Sequence, residues 1–134
     1  MSQLSSTDRL EIQELLHRYC HYLDHGRWAE FAALFTADCR LDLSQVLGVY
    51  EGAAGLHQFG EMIAGTGLFM RHMMTNVVID GDGERARVQS YVIAITGPAG
   101  SKPQQATGLY DDELVKQDGR WLLRHRRLTL DVSS

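Results

Sequence analysis

Cysteine is scarce in this sequence, and the two present, Cys20 and Cys39, form neither a CxxC pair nor any zinc-type spacing. That excludes a zinc ribbon or a dithiol redox motif and leaves two free buried thiols as the expectation. Excess positive charge is also missing. Lys and Arg number 13 against 17 Asp and Glu, for a net charge of −4, which argues against a nucleic-acid partner. The one basic cluster, Arg124, Arg126 and Arg127, sits inside an apolar strand pattern rather than in a phosphate-binding tract. No apolar run approaches the roughly 18–20 residues needed to cross a bilayer. The first residues, Met1 to Asp8, carry neither the basic nor the apolar region of a secretory leader. A cytoplasmic location without membrane attachment is therefore expected. There is no GxSxG elbow, no P-loop, no GxGxxG fingerprint and no HExxH. His17 and His21 lie four apart, but Tyr19 and Leu23 mark the buried stripe of that helix and leave both histidines to solvent.

What is present suits one globular domain. The 134 residues are 44% hydrophobic and 22% charged, enough to bury a core without metal or disulfide staples. Ser6, Thr7 and Asp8 offer N-caps, with Glu11 as a capping-box acid, ahead of Leu10, Ile12, Leu15, Leu16, Tyr19, Tyr22 and Leu23 at helical spacing. Gly26 stops that helix. A shorter one carries Trp28, Phe31, Leu34 and Phe35 and ends near Asp38. Cys39 to Leu43 alternates as a strand, and Gly48 to Gly52 reads as a second strand or a turn. A third helix is predicted over Ala53 to Ile63. Strands follow over His72 to Asp80, Arg85 to Thr96, Gln105 to Val115 and Arg120 to Leu130, the last two joined by an Asp118-Gly119 hairpin turn. Helices first and an antiparallel meander last predict an α+β fold, with a curved sheet packed on three helices around a closed cone. Such a cone holds a small-molecule pocket.

Four polar residues could point into that pocket. Asp24 ends the first helix, where it reads either as a solvated cap or as a general base. A carboxylate there stands at the unfavourable end of the helix dipole. Tyr19 lies on the inner face of the same helix. His72 opens a strand in which alternation places His72, Met74, Asn76 and Val78 on one face; it reads as a core histidine or, with Asp24 beside it, as an oriented base. Arg126 shares a face with Arg124, opposite His125 and Arg127, and that face meets either the cavity or the outside.

These residues resemble a known group. Ile12-Gln13-Glu14-Leu15-Leu16-His17-Arg18-Tyr19, Tyr22-Leu23-Asp24, Trp28-Ala29-Glu30-Phe31-Ala32-Ala33-Leu34-Phe35, His72-Met73-Met74-Thr75-Asn76 and Asp118-Gly119-Arg120-Trp121 are similar to the SnoaL-like group of the nuclear transport factor 2-like superfamily, nearly end to end. That group includes polyketide cyclases, scytalone dehydratase, bile-acid 7α-dehydratase and hexachlorocyclohexane dehydrochlorinase. The resemblance implies a single SnoaL-like domain over residues 1–134, an Asp24–His72 dyad, supporting roles for Tyr19 and Arg126, and no cofactor or metal. It implies a cofactor-independent lyase or isomerase acting on a small hydrophobic, cyclic substrate; Met62, Phe69, Met70, Met74, Asn76, Leu122 and Leu128 are the candidate binding residues. The alternatives from other classes are a structural subunit like the β subunit of aromatic-ring-hydroxylating dioxygenases, and a ligand-binding protein without turnover. Apolar residues on both faces of the strand Tyr91 to Ile95 add the expectation of a homodimer or homotrimer.

Overall fold

A computed structural model describes residues 3–133, with side chains through Asp131; Met1 and Ser2, where the leader reading begins, lie outside the described residues. The order is α1 (Ser6–Asp24), α2 (Trp28–Ala32), β1 (Phe35–Leu43), β2 (Gly48–Glu51), α3 (Gly52–Thr66), β3 (Phe69–Gly81), β4 (Arg85–Gly97), β5 (Gln104–Gln117) and β6 (Arg120–Ser133). The strands form one sheet in the order β2-β1-β6-β5-β4-β3. All neighbours are antiparallel except β1 and β6, which run parallel. The α+β expectation stands. No described helix is long and apolar enough to cross a membrane.

The sheet's inner face packs on the helices. Ile12, Leu16 and Tyr19 of α1, Phe31 of α2 and Phe59 of α3 meet Leu41, Val88, Leu114 and Leu123 of the sheet in one core. Removing such side chains from water supplies the main drive for the fold, at about 25 cal/mol per Å² of apolar surface. Helix α3 crosses close over α2 because Gly60 has no side chain. A Cβ built there meets the Trp28 ring at 3.0 Å. Both cysteines are free and buried.

Four local details differ from the sequence reading. The cap of α1 is Ser5, whose hydroxyl accepts from the Asp8 amide, while Asp8 supplies the reciprocal box bond instead of capping. Helix α2 ends at Ala32, because the chain from Phe35 is drawn into the sheet beside β6, starting with the Leu123 amide donating to the Leu34 carbonyl at 2.8 Å. Strand β3 starts earlier, at Phe69, and bulges between Thr75 and Val78, with Asn76 in the left-handed region at φ 54°. Asparagine tolerates that conformation. The bulge breaks the alternation, so Asn76 and Val78 leave the face that carries His72 and Met74. A second bulge lies in β6, where pairing with β5 slips between Leu123 and His125. It separates the two arginines expected on one face: Arg126 is fully buried, and Arg124 reaches outward to Asp38 and Glu113.

The turn at Asp118-Gly119 has positive φ at both residues, as the hairpin reading requires.

Candidate active site

Between α1, α3 and the sheet lies a cavity of ≈ 290 Å³. Its walls are largely apolar, including Phe59, Met62, Met70 and Leu128, and its lining also includes His72, Tyr19 and Tyr110. The expected closure is not found. Val46, Leu47 and Leu68 line the cavity and are also exposed at 50%, 42% and 41%, so the mouth opens to solvent between the β1–β2 turn and the end of α3. The sheet curls without closing on itself.

Asp24 and His72 meet at the wall of this cavity, which His72 lines. One carboxylate oxygen of Asp24 lies 2.6 Å from His72 Nδ1, and the other accepts the His72 backbone amide at 2.9 Å. Both side chains are largely buried, at 6% and 13% exposure. The two contacts hold the end of α1 against β3 and fix the imidazole by its near edge. An ionised carboxylate only accepts, so Nδ1 carries the proton and Nε2 keeps a free lone pair. His72 also lines the cavity, and among the described residues no partner takes up Nε2. The arrangement can remove a proton from a molecule in the cavity, with Asp24 stabilising the imidazolium that results.

Arg126 stands one layer behind the cavity. Its Nε and Nη2 each donate to Asp112 at 2.8 Å, and both side chains are completely buried. The guanidinium carbon sits 4.2 Å from the Tyr19 ring centre and 3.7 Å from that of Tyr110, so the cation lies against both rings. Nη2 also approaches the Met74 sulfur at 3.8 Å, and Nη1 is sealed in without a partner. Burial works against the charge on Arg126, but the Asp112 carboxylate more than offsets it and holds the guanidinium protonated. Burial pushes the Tyr19 phenol up to about 12, against the pull of Arg126, and pushes the Tyr110 phenol up as well. Both phenols are therefore neutral donors at ordinary pH.

The structure brings Asp24, His72, Tyr19, Met62, Met70 and Leu128 to the cavity or directly behind it, and leaves other candidates outside. Phe69 turns outward, 44% exposed, with Arg71 stacked on its ring at 4.4 Å. Asn76 is exposed at the β3 bulge. Leu122 is buried beside Val115 on the strand face opposite Leu123 and is no part of the cavity wall. Met74 packs on the core next to Arg126 instead of lining the space. Sequence reasoning missed Tyr110 and Asp112. Alternation along Gly108, Tyr110, Asp112 and Leu114 marks one buried face and could have exposed an acid inside it. The partnership with Arg126 was hidden by the β6 bulge. An uninterrupted hairpin from Asp118-Gly119 would set Asp111 opposite Arg126; the bulge sets Asp112 there.

The chain is similar to several known proteins. Rv2910c, an uncharacterized protein of Mycobacterium tuberculosis H37Rv, is 30% identical over 130 residues, 94% of this chain and 87% of that protein. A protein of unknown function with a cystatin-like fold from Nostoc punctiforme PCC 73102 has a TM-score of 0.84 at 26% identity, over 96% of this chain and 95% of that one. A candidate scytalone dehydratase from Novosphingobium aromaticivorans DSM 12444 has a TM-score of 0.85 at 28% identity, over 96% and 87%. The family model described as SnoaL-like domain matches residues 5–127, and with this fold around it the chain belongs to the SnoaL-like family of nuclear transport factor 2-like proteins.

Proposed function

We propose that this protein is a cofactor-independent lyase or isomerase acting on a small, hydrophobic, cyclic compound. The observation that carries the reading is the 2.6 Å contact between Asp24 and His72 Nδ1, which leaves the other ring nitrogen free in a mostly apolar cavity. An apolar wall selects an apolar substrate. In a dehydration, His72 Nε2 takes a proton from the carbon beside a carbonyl, and the electron pair moves into the carbonyl as an enolate. The enolate then re-forms the carbonyl as the hydroxyl on the neighbouring carbon departs. The imidazolium returns its proton to that hydroxide, so water leaves and His72 ends neutral. An isomerisation uses the same first step and returns the proton to a different carbon. Likeness to a candidate scytalone dehydratase favours loss of water.

The test is a panel of cyclic β-hydroxyketones followed by mass spectrometry. Time-dependent loss of water or rearrangement with the wild type, and its disappearance in His72→Ala, is the expected result. Tight binding of panel members with no turnover, or equal turnover by His72→Ala, overturns the reading.

A further inference from the structure

The end of α1 carries a pair of histidines that the cavity chemistry leaves unused. His21 and His25 are four residues apart, about 6 Å along the helix axis, and both are exposed. Their rings lie 14° from parallel, with 6.2 Å between ring centres. An ion bound about 2.1 Å from one nitrogen of each ring holds the two centres no more than about 6.5 Å apart. These rings are already close enough to share one. His25 is also oriented for the role. Its Nδ1 donates to the His21 carbonyl at 2.9 Å, and its backbone amide donates to the same oxygen at 3.1 Å. A carbonyl only accepts, so Nδ1 carries the proton and the lone pair is on Nε2. A backbone carbonyl on the far nitrogen is the usual support of a metal-bound histidine, because it fixes both tautomer and ring. Charge favours a cation here as well. The last turn of α1 is the negative end of the helix dipole. Arg18 and Arg27, the cations nearest in sequence, are drawn into pairs with Glu14 and Glu30.

We propose that His21 and His25 chelate one borderline divalent ion of the Zn²⁺, Ni²⁺ and Cu²⁺ class, with water in its remaining positions. Imidazole suits these ions, whereas Mg²⁺ and Ca²⁺ take oxygen ligands. Two protein ligands and several waters make an exchangeable site, unlike the closed four-ligand sites of structural zinc. His17, four residues before His21, is the competing partner, but among the described residues it lacks the carbonyl bond that orients His25. The bound ion joins the C-cap to the last turn of the helix that carries Asp24, and so opposes fraying at that end. The site lies on the exposed side of α1, away from the cavity, and does not depend on the lyase reading.

The test titrates Ni²⁺ alone into the full chain by calorimetry. The wild type should bind it saturably, one ion to each chain. His21→Ala and His25→Ala should each weaken that binding about tenfold or more, since a chelate is reduced to a single bond. His17→Ala should leave it unchanged. So should His57→Ala, which removes the other exposed histidine pairing of this kind, His57 with Glu61 at 3.0 Å on α3. A second readout needs no variant: in the wild type, paramagnetic broadening by Ni²⁺ should be strongest at the amides of residues 21–26 and should vanish on adding EDTA. Absence of saturable binding overturns the proposal. A loss in His17→Ala as large as in His25→Ala, or broadening centred on His57, overturns it too. Neither readout involves turnover, so the metal site and the lyase reading stand or fall separately.

Discussion

Helix α1 carries a buried or nearly buried aspartate at each end, and the two have opposite surroundings. Asp8, in the first turn, is on the favourable side of the helix dipole. It accepts from the Ser5 amide at 3.1 Å, Trp121 Nε1 at 2.9 Å and Lys116 Nζ at 3.1 Å, so it ties the helix start to the last hairpin. Asp24, the last helical residue, stands at the unfavourable end and, among the described residues, is held by His72 alone, whose far ring edge meets the cavity. The first carboxylate has its acceptor capacity spread over structural donors. The second has its capacity committed to a group that itself can take a proton. One helix thus separates anchoring from chemistry along its length.

The largest expected effects break the Asp24 end. His72→Ala removes the proposed base, and turnover on a true substrate should fall on the order of 10²–10⁴-fold. Asp24→Asn should cost a comparable factor, because an amide cannot stabilise the imidazolium. The double variant should be little worse than the worse single one, since the two act as a unit. Strictly multiplicative losses in steady-state kinetics would show two independent contributions and dissolve the dyad.

A smaller effect belongs to the layer behind the cavity. Arg126→Met leaves the Asp112 carboxylate buried without its counter-ion, which should destabilise the fold by about 3–5 kcal/mol in denaturant titration. Replacing both, as Arg126→Met with Asp112→Leu, should cost less than Arg126→Met alone, because no charge is then stranded. A double variant weaker than the single would mean that the pair is a net source of stability. At the α2–α3 crossing, Gly60→Val should also destabilise, through its clash with the Trp28 ring at a site whose nearest built contact is already 3.0 Å.

Much of the fold was legible because it rests on local patterns: the stripe from Ile12 to Leu23, the alternating runs of the last four strands, and the Asp118-Gly119 turn. Asp24 and His72 were legible as a pair through their motif setting, although 48 positions separate them in the chain. What was not legible depends on strand register. A bulge is a one-residue event that no periodicity announces, and two of them reassigned Asn76, Val78, Arg124 and the partner of Arg126. Tyr110 escaped because an aromatic residue in a strand reads as core until the neighbouring walls are known. The cap moved to Ser5 for a related reason: Asp8 is drawn to Trp121 and Lys116, more than a hundred positions away, and that tertiary demand fixes which residue of Ser-Ser-Thr-Asp starts the helix.

The Asp8 end gives the sharpest contrast in pH. Bonds from Trp121, the Ser5 backbone and Lys116 hold its carboxyl well below the usual carboxylate range. In the unfolded chain the group titrates near its ordinary value, about 3.9. Between the two values the unfolded chain binds the proton and the folded one does not, so stability rises with pH across that window. The contribution is complete above about pH 5 and is lost as the pH falls toward the folded value. Asp8→Asn should lower the melting temperature at pH 7 by roughly 5 °C, the size expected when a capping-box bond at a helix start is weakened in a domain of this size. At pH 2–3 the gap to the wild type should shrink, because the wild-type advantage is then partly titrated away. The same variant should keep wild-type kcat at pH 7, since Asp8 lies at the opposite end of α1 from His72. A gap in melting temperature that stays constant from pH 7 to pH 3 would show that Asp8 works by the geometry of its hydrogen bonds alone and that its charge adds nothing.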